Sequence, residues 1–309
     1  MCCSFVYKSV MRRLRLFPLM FPFIFFYTPD LGAEPYCEED SEHEDCRIQG
    51  RTFWYGKNCN PLPFQTLEEV LDFLETAEVV SIQEVGSGTT GVRKLLLRNG
   101  EIEAHAAFRH VRIDRQNVRM NDGSRKRFFR DHFAFEKAAF ELSRVLGLDN
   151  VPPVVIRKVS GIQGSVQLWI ESAFTEGQRQ SEKMIPRERD RWLQDLQHLR
   201  IFDNLIHNDD RNPGNILYDS NWKLWMIDHT RSFRRNRELK NISSVTRCGR
   251  DLWKRLKSLT EGDIREAMGD FLHPAEVNGL IHRHRLIIEY LQNRINETGE
   301  SGVLIPQIQ

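Results

Sequence analysis

The chain predicts an α+β fold in two lobes, a sheet-rich first half with one long helix followed by a mostly helical second half. Three observations lead there. Apolar residues alternate with polar ones over 79–85, 92–97 and 102–113, and again in a hairpin over 154–159 and 165–170. Between these runs only 133–146 has helical spacing, and Gly147 ends it. From Pro186 onward the period changes, with Leu193, Leu196, Leu199 and Phe202 at three-residue intervals and further helices over 250–259, 262–271 and 275–295. The domains expected are 1–33, a leader; 34–77, a cysteine-bearing extension with a short helix; 78–172 and 173–295, the two lobes; and 296–309, a tail. The tail shows no periodicity and is expected to be disordered.

Local signals justify the elements in turn. Thr66-Leu-Glu-Glu69 is a capping box, and Leu67, Val70, Leu71 and Leu74 follow at helical spacing. Gly86-Ser-Gly88-Thr-Thr-Gly91 separates the first two strands, and Asn99-Gly100 turns the chain into the third. Pro153 pushes its predecessor into extended geometry ahead of the hairpin at Gly161 and Gly164.

At 309 residues, 40% hydrophobic and 28% charged, the chain can bury a full core. A net charge of +1 gives no reason to expect bulk nucleic-acid or membrane-surface binding, so no nucleic-acid partner is expected. Two local basic runs, Arg125 to Arg130 and Arg231 to Arg237, read as solvated faces. Lys8, Arg12, Arg13 and Arg15 precede an apolar run from Leu16 to Tyr27, then Gly32 and Ala33, the pattern of a secretory signal peptide. An uncleaved membrane anchor is the alternative, and a cytoplasmic protein follows if the leader is not part of the true chain. Cys37, Cys46, Cys59 and Cys248 lie past the leader, an even number that in an exported chain suggests disulfides, with three pairings open. There is no C-x-x-C pair for zinc, no G-x-S-x-G elbow and no H-E-x-x-H helix, which disfavours the common hydrolases.

The chemistry concentrates in His207 to Arg231, which holds Asp210, Asn215 five residues on, and Asp228 at the end of an apolar strand. Phosphoryl transfer needs this set. One carboxylate faces the acceptor hydroxyl, and an amide oxygen and a second carboxylate hold magnesium on nucleotide phosphates. Asp209 competes with Asp210, but the spacing to Asn215 favours Asp210. Upstream, Ala107 and Arg109 share one face of the third strand, and Glu136 projects from a largely apolar helix face, where a carboxylate calls for a partner.

Taken together, residues 78 to 295 resemble the atypical branch of the protein kinase-like superfamily: the phosphatidylinositol 3/4-kinase-like group, the HipA-like kinases and the secretory-pathway Golgi kinases. The resemblance implies a kinase-like fold with ATP and Mg²⁺ (or Mn²⁺) as cofactors. It implies that Gly86, Ser87 and Gly88 cradle phosphates, that Arg109 and Glu136 form the clamp, and that Ile170 and Glu171 lie in the adenine hinge. Asp210 is then catalytic, and Asn215 and Asp228 are metal ligands. His229 replaces the phenylalanine of the common Asp-Phe-Gly, as the HipA-like and secretory groups lead one to expect. The departure is Arg109, which stands where these families carry lysine, and arginine's planar fork differs in reach from an ammonium. Three readings stay open: Arg109 serves as the clamp, Lys94 on the neighbouring strand replaces it, or the chain is a pseudokinase. The expected activity is transfer of the γ-phosphate to a hydroxyl on a protein, a glycan or, less readily, a lipid headgroup. The alternatives are a nucleotide-binding scaffold, or AMP transfer on the same fold.

Overall fold

The computed structural model describes residues 54–85, 91–119, 123 and 125–306. The leader, Cys37, Cys46, Gly86, Ser87, Gly88 and the last three residues lie outside them. Helix α1 (Leu67–Thr76) opens with the reciprocal hydrogen bonds of the Thr66–Glu69 capping box. It precedes strands β1 (Glu78–Glu84), β2 (Arg93–Asn99) and β3 (Ile102–Arg109). Then come β4 (Arg112–Arg119), β5 (Arg125–His132), helix α2 (Ala134–Val145), β6 (Val154–Val159) and β7 (Ile162–Leu168). Five of these strands form one antiparallel sheet in the order β1-β2-β3-β7-β6.

Period-two alternation gives that sheet two different faces. Leu95, Leu97, Ala104, Ala106, Phe108, Val155 and Val166 pack on Val70, Phe73 and Leu74 of α1. The alternate residues point the other way, and register places Lys94, Ala107 and Gln167 in one row and Arg109 opposite Ser165. Close approach of β7 to Arg109 needs a glycine: a Cβ on Gly164 would lie 2.3 Å from the Arg109 carbonyl oxygen.

The helical part holds α3 (Glu176–Ser181), α4 (Arg189–Ile206), α5 (Arg250–Ser258), α6 (Glu261–Met268), α7 (Pro274–Thr298) and α8 (Glu300–Val303). Short strands β8 (Phe174–Thr175), β9 (Ile216–Tyr218) and β10 (Leu224–Met226) form a three-stranded sheet beside α4. Leu199, Ile201, Phe202, Leu205 and Ile206 of α4 share a core with Ile216, Tyr218, Leu224 and Met226, and with Leu280, Ile287 and Leu291 of α7.

The structure departs from the sequence expectations in four places. Residues 102–113 do not form one strand. β3 ends at Arg109, and β4 pairs with β5 in a separate hairpin because Arg112, Asp114, Arg115 and Gln116 offer no apolar face to a core. The strand expected over 165–170 ends at Leu168, and Trp169 and Ile170 are half-buried beyond it. The described part of the tail, through Pro306, is ordered: β12 (Leu304–Ile305) runs parallel to β11 (Cys248–Gly249), with Val303 and Leu304 buried. Its short apolar run fills a gap beside α5, which polarity averaged over the tail conceals. Finally, Cys248 is a free buried thiol whose pKa burial pushes up to about 12, so it forms no disulfide and is a weak nucleophile. Among the described residues, no helix is long and apolar enough to cross a membrane.

Leu304→Ala should lower stability by about 2–4 kcal/mol, the cost of a buried leucine cavity, read from the denaturant midpoint. A second test is acid sensitivity. Burial holds the pKa of His198 down at about 4, and burial, then the charges of Arg130 and Arg112, does the same for His132. Between pH 6.5 and 4 the unfolded chain therefore binds more protons at these histidines, so they make stability fall as pH falls. Asp195, raised to about 6 by burial, opposes them over the lower part of that window. His198→Gln should shrink the loss of stability between pH 7 and pH 5 by about 2 kcal/mol in paired thermal melts.

Candidate active site

Alternation in β3 turns Arg109 toward α2, which presents the fully buried Glu136 to it. Arg109 Nε lies 3.6 Å from Glu136 Oε1 and 4.0 Å from Asp228 Oδ1, with arginine and glutamate both buried. Glu136 is pinned from the other side. The His229 backbone N–H donates to Oε1 at 3.0 Å, and His229 Nδ1 lies 3.0 Å from Oε2. Burial by itself would raise the Glu136 carboxyl pKa, but the Arg109 charge and the His229 contacts bring it below the ordinary value.

The loop after α4 is built by polar side chains acting on the backbone. His207, in the left-handed region at φ 49°, ends the helix. Arg211 grips Asp203 of α4 at 3.0 Å and donates to the carbonyls of Asn215 (2.6 Å) and Ile227 (2.8 Å). Asn215 Nδ2 donates to the Asp210 carbonyl at 2.9 Å, which turns its own oxygen away from that bond. The Ile227 N–H donates to the Asn215 carbonyl at 3.3 Å, so the segment bearing Asp228 is tied directly to the loop. Asp209, the competing carboxylate, is held by Arg234 at 3.0 Å and Lys240 at 3.5 Å. Asp210 is more open and meets Arg231 Nη1 at 3.1 Å, while Arg231 Nε donates to Asp131 at 2.7 Å.

The structure thus gathers Arg109, Glu136 and Asp228 into one cluster and ties Asp210 and Asn215 to the segment that carries Asp228. Ile170 and Glu171 lie beyond β7, where Glu171 Oε1 is 2.6 Å from His105 Nδ1. His105 shares the Arg109 face of β3, four residues or about 13 Å away. Lys94 stands in the row of Ala107 and Gln167, and its ammonium sits 4.6 Å from the centre of the Trp169 ring. Nothing in the sequence marks His229, His105 or Arg231 as partners of these residues, because each contact joins segments far apart in the chain.

The residues present fit an anionic nucleotide with a divalent cation. Arg109 Nε and Gln167 Nε2 are buried donors without a hydrogen-bond acceptor among the described residues. The Asn215 amide oxygen and the Asp228 carboxylate are hard oxygen donors, the kind a divalent cation takes. Among the described residues no group of three or more His, Cys, Asp or Glu side chains could hold a metal ion. One carboxylate and one amide suit a cation that takes its remaining ligands from phosphate and water.

Comparison with known proteins bears on the fold. The family described as Golgi casein kinase, C-terminal, Fam20 (Fam20C) matches residues 59–176. No curated protein matches the sequence. Among solved structures, hydra Fam20 with sugar is similar at 18% identity and a TM-score of 0.59, covering 80% of this chain and 95% of that one. The Golgi casein kinase is similar at 15% identity and a TM-score of 0.57, covering 79% of this chain and 78% of that one. The same kinase with Mn/ADP bound aligns with a TM-score of 0.56 at 15% identity, over 77% of this chain and 78% of that one. The chain therefore has an α+β kinase-like fold, shared with the Golgi casein kinase and hydra Fam20 structures.

Proposed function

We propose that this chain transfers the γ-phosphate of ATP, bound with Mg²⁺ or Mn²⁺, to an alcohol on a protein or a glycan. The observation that carries the reading is the buried cluster of Arg109, Glu136 and Asp228, joined through the Ile227–Asn215 hydrogen bond to the loop of Asp210. Mn/ADP in the Golgi casein kinase structure and sugar in the hydra Fam20 structure support the nucleotide and a hydroxyl acceptor for those proteins, and by fold for this one. The Golgi relatives and the basic-then-apolar leader support a secretory-pathway location.

In this reading Arg109 holds the α- and β-phosphates, and Glu136 fixes the guanidinium in place. Asn215 and Asp228 would hold the cation, which neutralises charge on the phosphates when bound. Asp210 accepts the proton of the acceptor hydroxyl as its oxygen bonds to the γ-phosphorus and the bond to the β–γ bridging oxygen breaks. Arg231 orients that carboxylate through Oδ2. Little covalent work falls to the protein, so positioning and charge supply most of the rate.

With γ-labelled and α-labelled ATP, only the γ label should reach an acceptor, and Asp228→Ala or Asp210→Asn should cut transfer by about 10²-fold or more. Transfer of the α label would instead indicate AMP transfer, and no rise in melting temperature at millimolar Mn-ATP would leave a scaffold. Arg109→Ala should remove the ATP-induced rise and Lys94→Ala should keep it; the reverse pattern assigns the clamp to Lys94. Glu136→Gln should cost about 3–5 kcal/mol in urea unfolding, because it strips a buried guanidinium of its main partner.

A further inference from the structure

Two basic runs far apart in sequence form a single surface. At the base of the β4–β5 hairpin, the His132 N–H donates to the Thr230 carbonyl at 2.9 Å and Arg231 reaches Asp131. Arg234 Nη1 donates to the Arg130 carbonyl at 2.9 Å and its guanidinium covers the Phe129 ring at 5.4 Å. Arg235 covers Phe128 at 4.4 Å. From behind, the buried Arg283 of α7 binds the carbonyls of Leu205, Arg234 and Asn236. Gly279 admits this approach, since a Cβ there would lie 2.9 Å from the Arg234 oxygen.

Among the described residues, the acids of this region already have partners. Asp114 lies 3.6 Å from Arg130, Asp131 binds Arg231, and Glu238 accepts from Asn236. Arg112, Arg115, Arg119, Arg125 and Arg237 are exposed and have no ion-pair partner among the described residues. Arg119 and Arg125 stand directly opposite each other in the ladder. Like charges so placed destabilise a hairpin, and a bound anion would relieve the repulsion. Arg115, Arg119 and Arg125 share one face of the hairpin and Arg112 lies on the other; from Arg115 to Arg119 the strand runs about 13 Å, so the charge on that face forms a line.

That line has charge but almost no apolar area. Phe128 is its one large exposed hydrophobic among the described residues, and Arg235 covers it. A folded protein partner needs an apolar centre, and a peptide strand needs side-chain pockets. Arginine rather than lysine predominates, and its fork matches two oxygens of a sulfate or carboxylate. We propose that the β4–β5 hairpin and the 231–237 loop form a docking surface for a linear sulfated polysaccharide, held by charge beside the loop of Asp210. Docking requires no catalysis and stands apart from the phosphotransfer reading.

Heparin is the probe, titrated into the full chain over a salt series. Affinity should fall linearly on a log–log plot against salt. Arg115→Ser/Arg119→Ser/Arg125→Ser should lower that slope by roughly 0.7–0.9 per arginine and weaken binding by about tenfold or more at moderate salt. Arg247→Ser/Lys254→Ser/Lys257→Ser, with the same charge removed elsewhere, should change neither. The hairpin triple should keep the ATP-induced melting shift of the parent, which shows that it is folded and separates loss of docking from loss of nucleotide binding. Absence of heparin binding, equal loss in the control triple, or equal affinity for desulfated heparin would overturn the proposal. Equal affinity for polyglutamate would overturn it in favour of an acidic peptide.

Discussion

One guanidinium organises the loop on which the rest of the site depends. Arg211 spends its donors on the Asp203 carboxylate of α4 and on the carbonyls of Asn215 and Ile227. The helix, the loop and the strand leading to Asp228 therefore share one rigid centre. Arginine suits this role because its donors fan out in one plane at fixed angles, so three chain segments can be held at once. It also explains how a polar segment of Asp, Arg, Asn and Gly can be stiff without regular structure, since backbone groups that a helix or sheet would satisfy are met by side chains.

A second constraint is electrostatic. Glu136 has no exposure, and a carboxylate so buried is tolerated only when its oxygens are met. Both are met by His229, and Arg109 adds the balancing charge. Arginine in place of lysine makes sense here on geometric grounds, because the guanidinium lies within 4.0 Å of Glu136 and Asp228 at once. The chain thus keeps a cation where nucleotide phosphates would need one. His229 fills the place of the phenylalanine usual in kinases and contributes hydrogen bonds that phenylalanine could not.

Legibility in the sequence followed the range of the interaction. The sheet, α2 and the helices after Pro186 announce themselves through periodic apolar residues, and Asp210, Asn215 and Asp228 through spacing within one short stretch. Glu136 was legible because an acid on an apolar helix face calls for a partner, and the resemblance to kinases is what pointed to Arg109. His229, His105 and Arg231 were not, because their contacts to Glu136, Glu171 and Asp131 span 93, 66 and 100 residues and no local pattern encodes such a pairing. The hairpin escaped notice for a different reason: a two-stranded ribbon without an apolar face has no period-two signal, and its arginines read as solvent. The tail was missed because two buried residues, Val303 and Leu304, are too few to register as a pattern yet enough to dock a strand.

Asp228, His229, Thr230 and Arg231 bring these strands of argument together, for each of the four meets a different part of the molecule. Asp228 faces Arg109 of the sheet, and His229 faces Glu136 of α2. The Thr230 carbonyl accepts from the hairpin at His132, and Arg231 joins the hairpin at Asp131 to the loop at Asp210. A continuing strand would send alternate residues to opposite faces, and a helix would spread them by about 100° a step, so neither reaches all four targets. The backbone instead turns through the left-handed region at Asp228, φ 58°, a conformation that aspartate adopts more readily than most residues. Thr230 Oγ1 donates to Asp228 Oδ1 at 3.2 Å across that turn. The modest cost of the turn is what allows one tetrapeptide to join the sheet, the helix, the basic hairpin and the loop of Asp210.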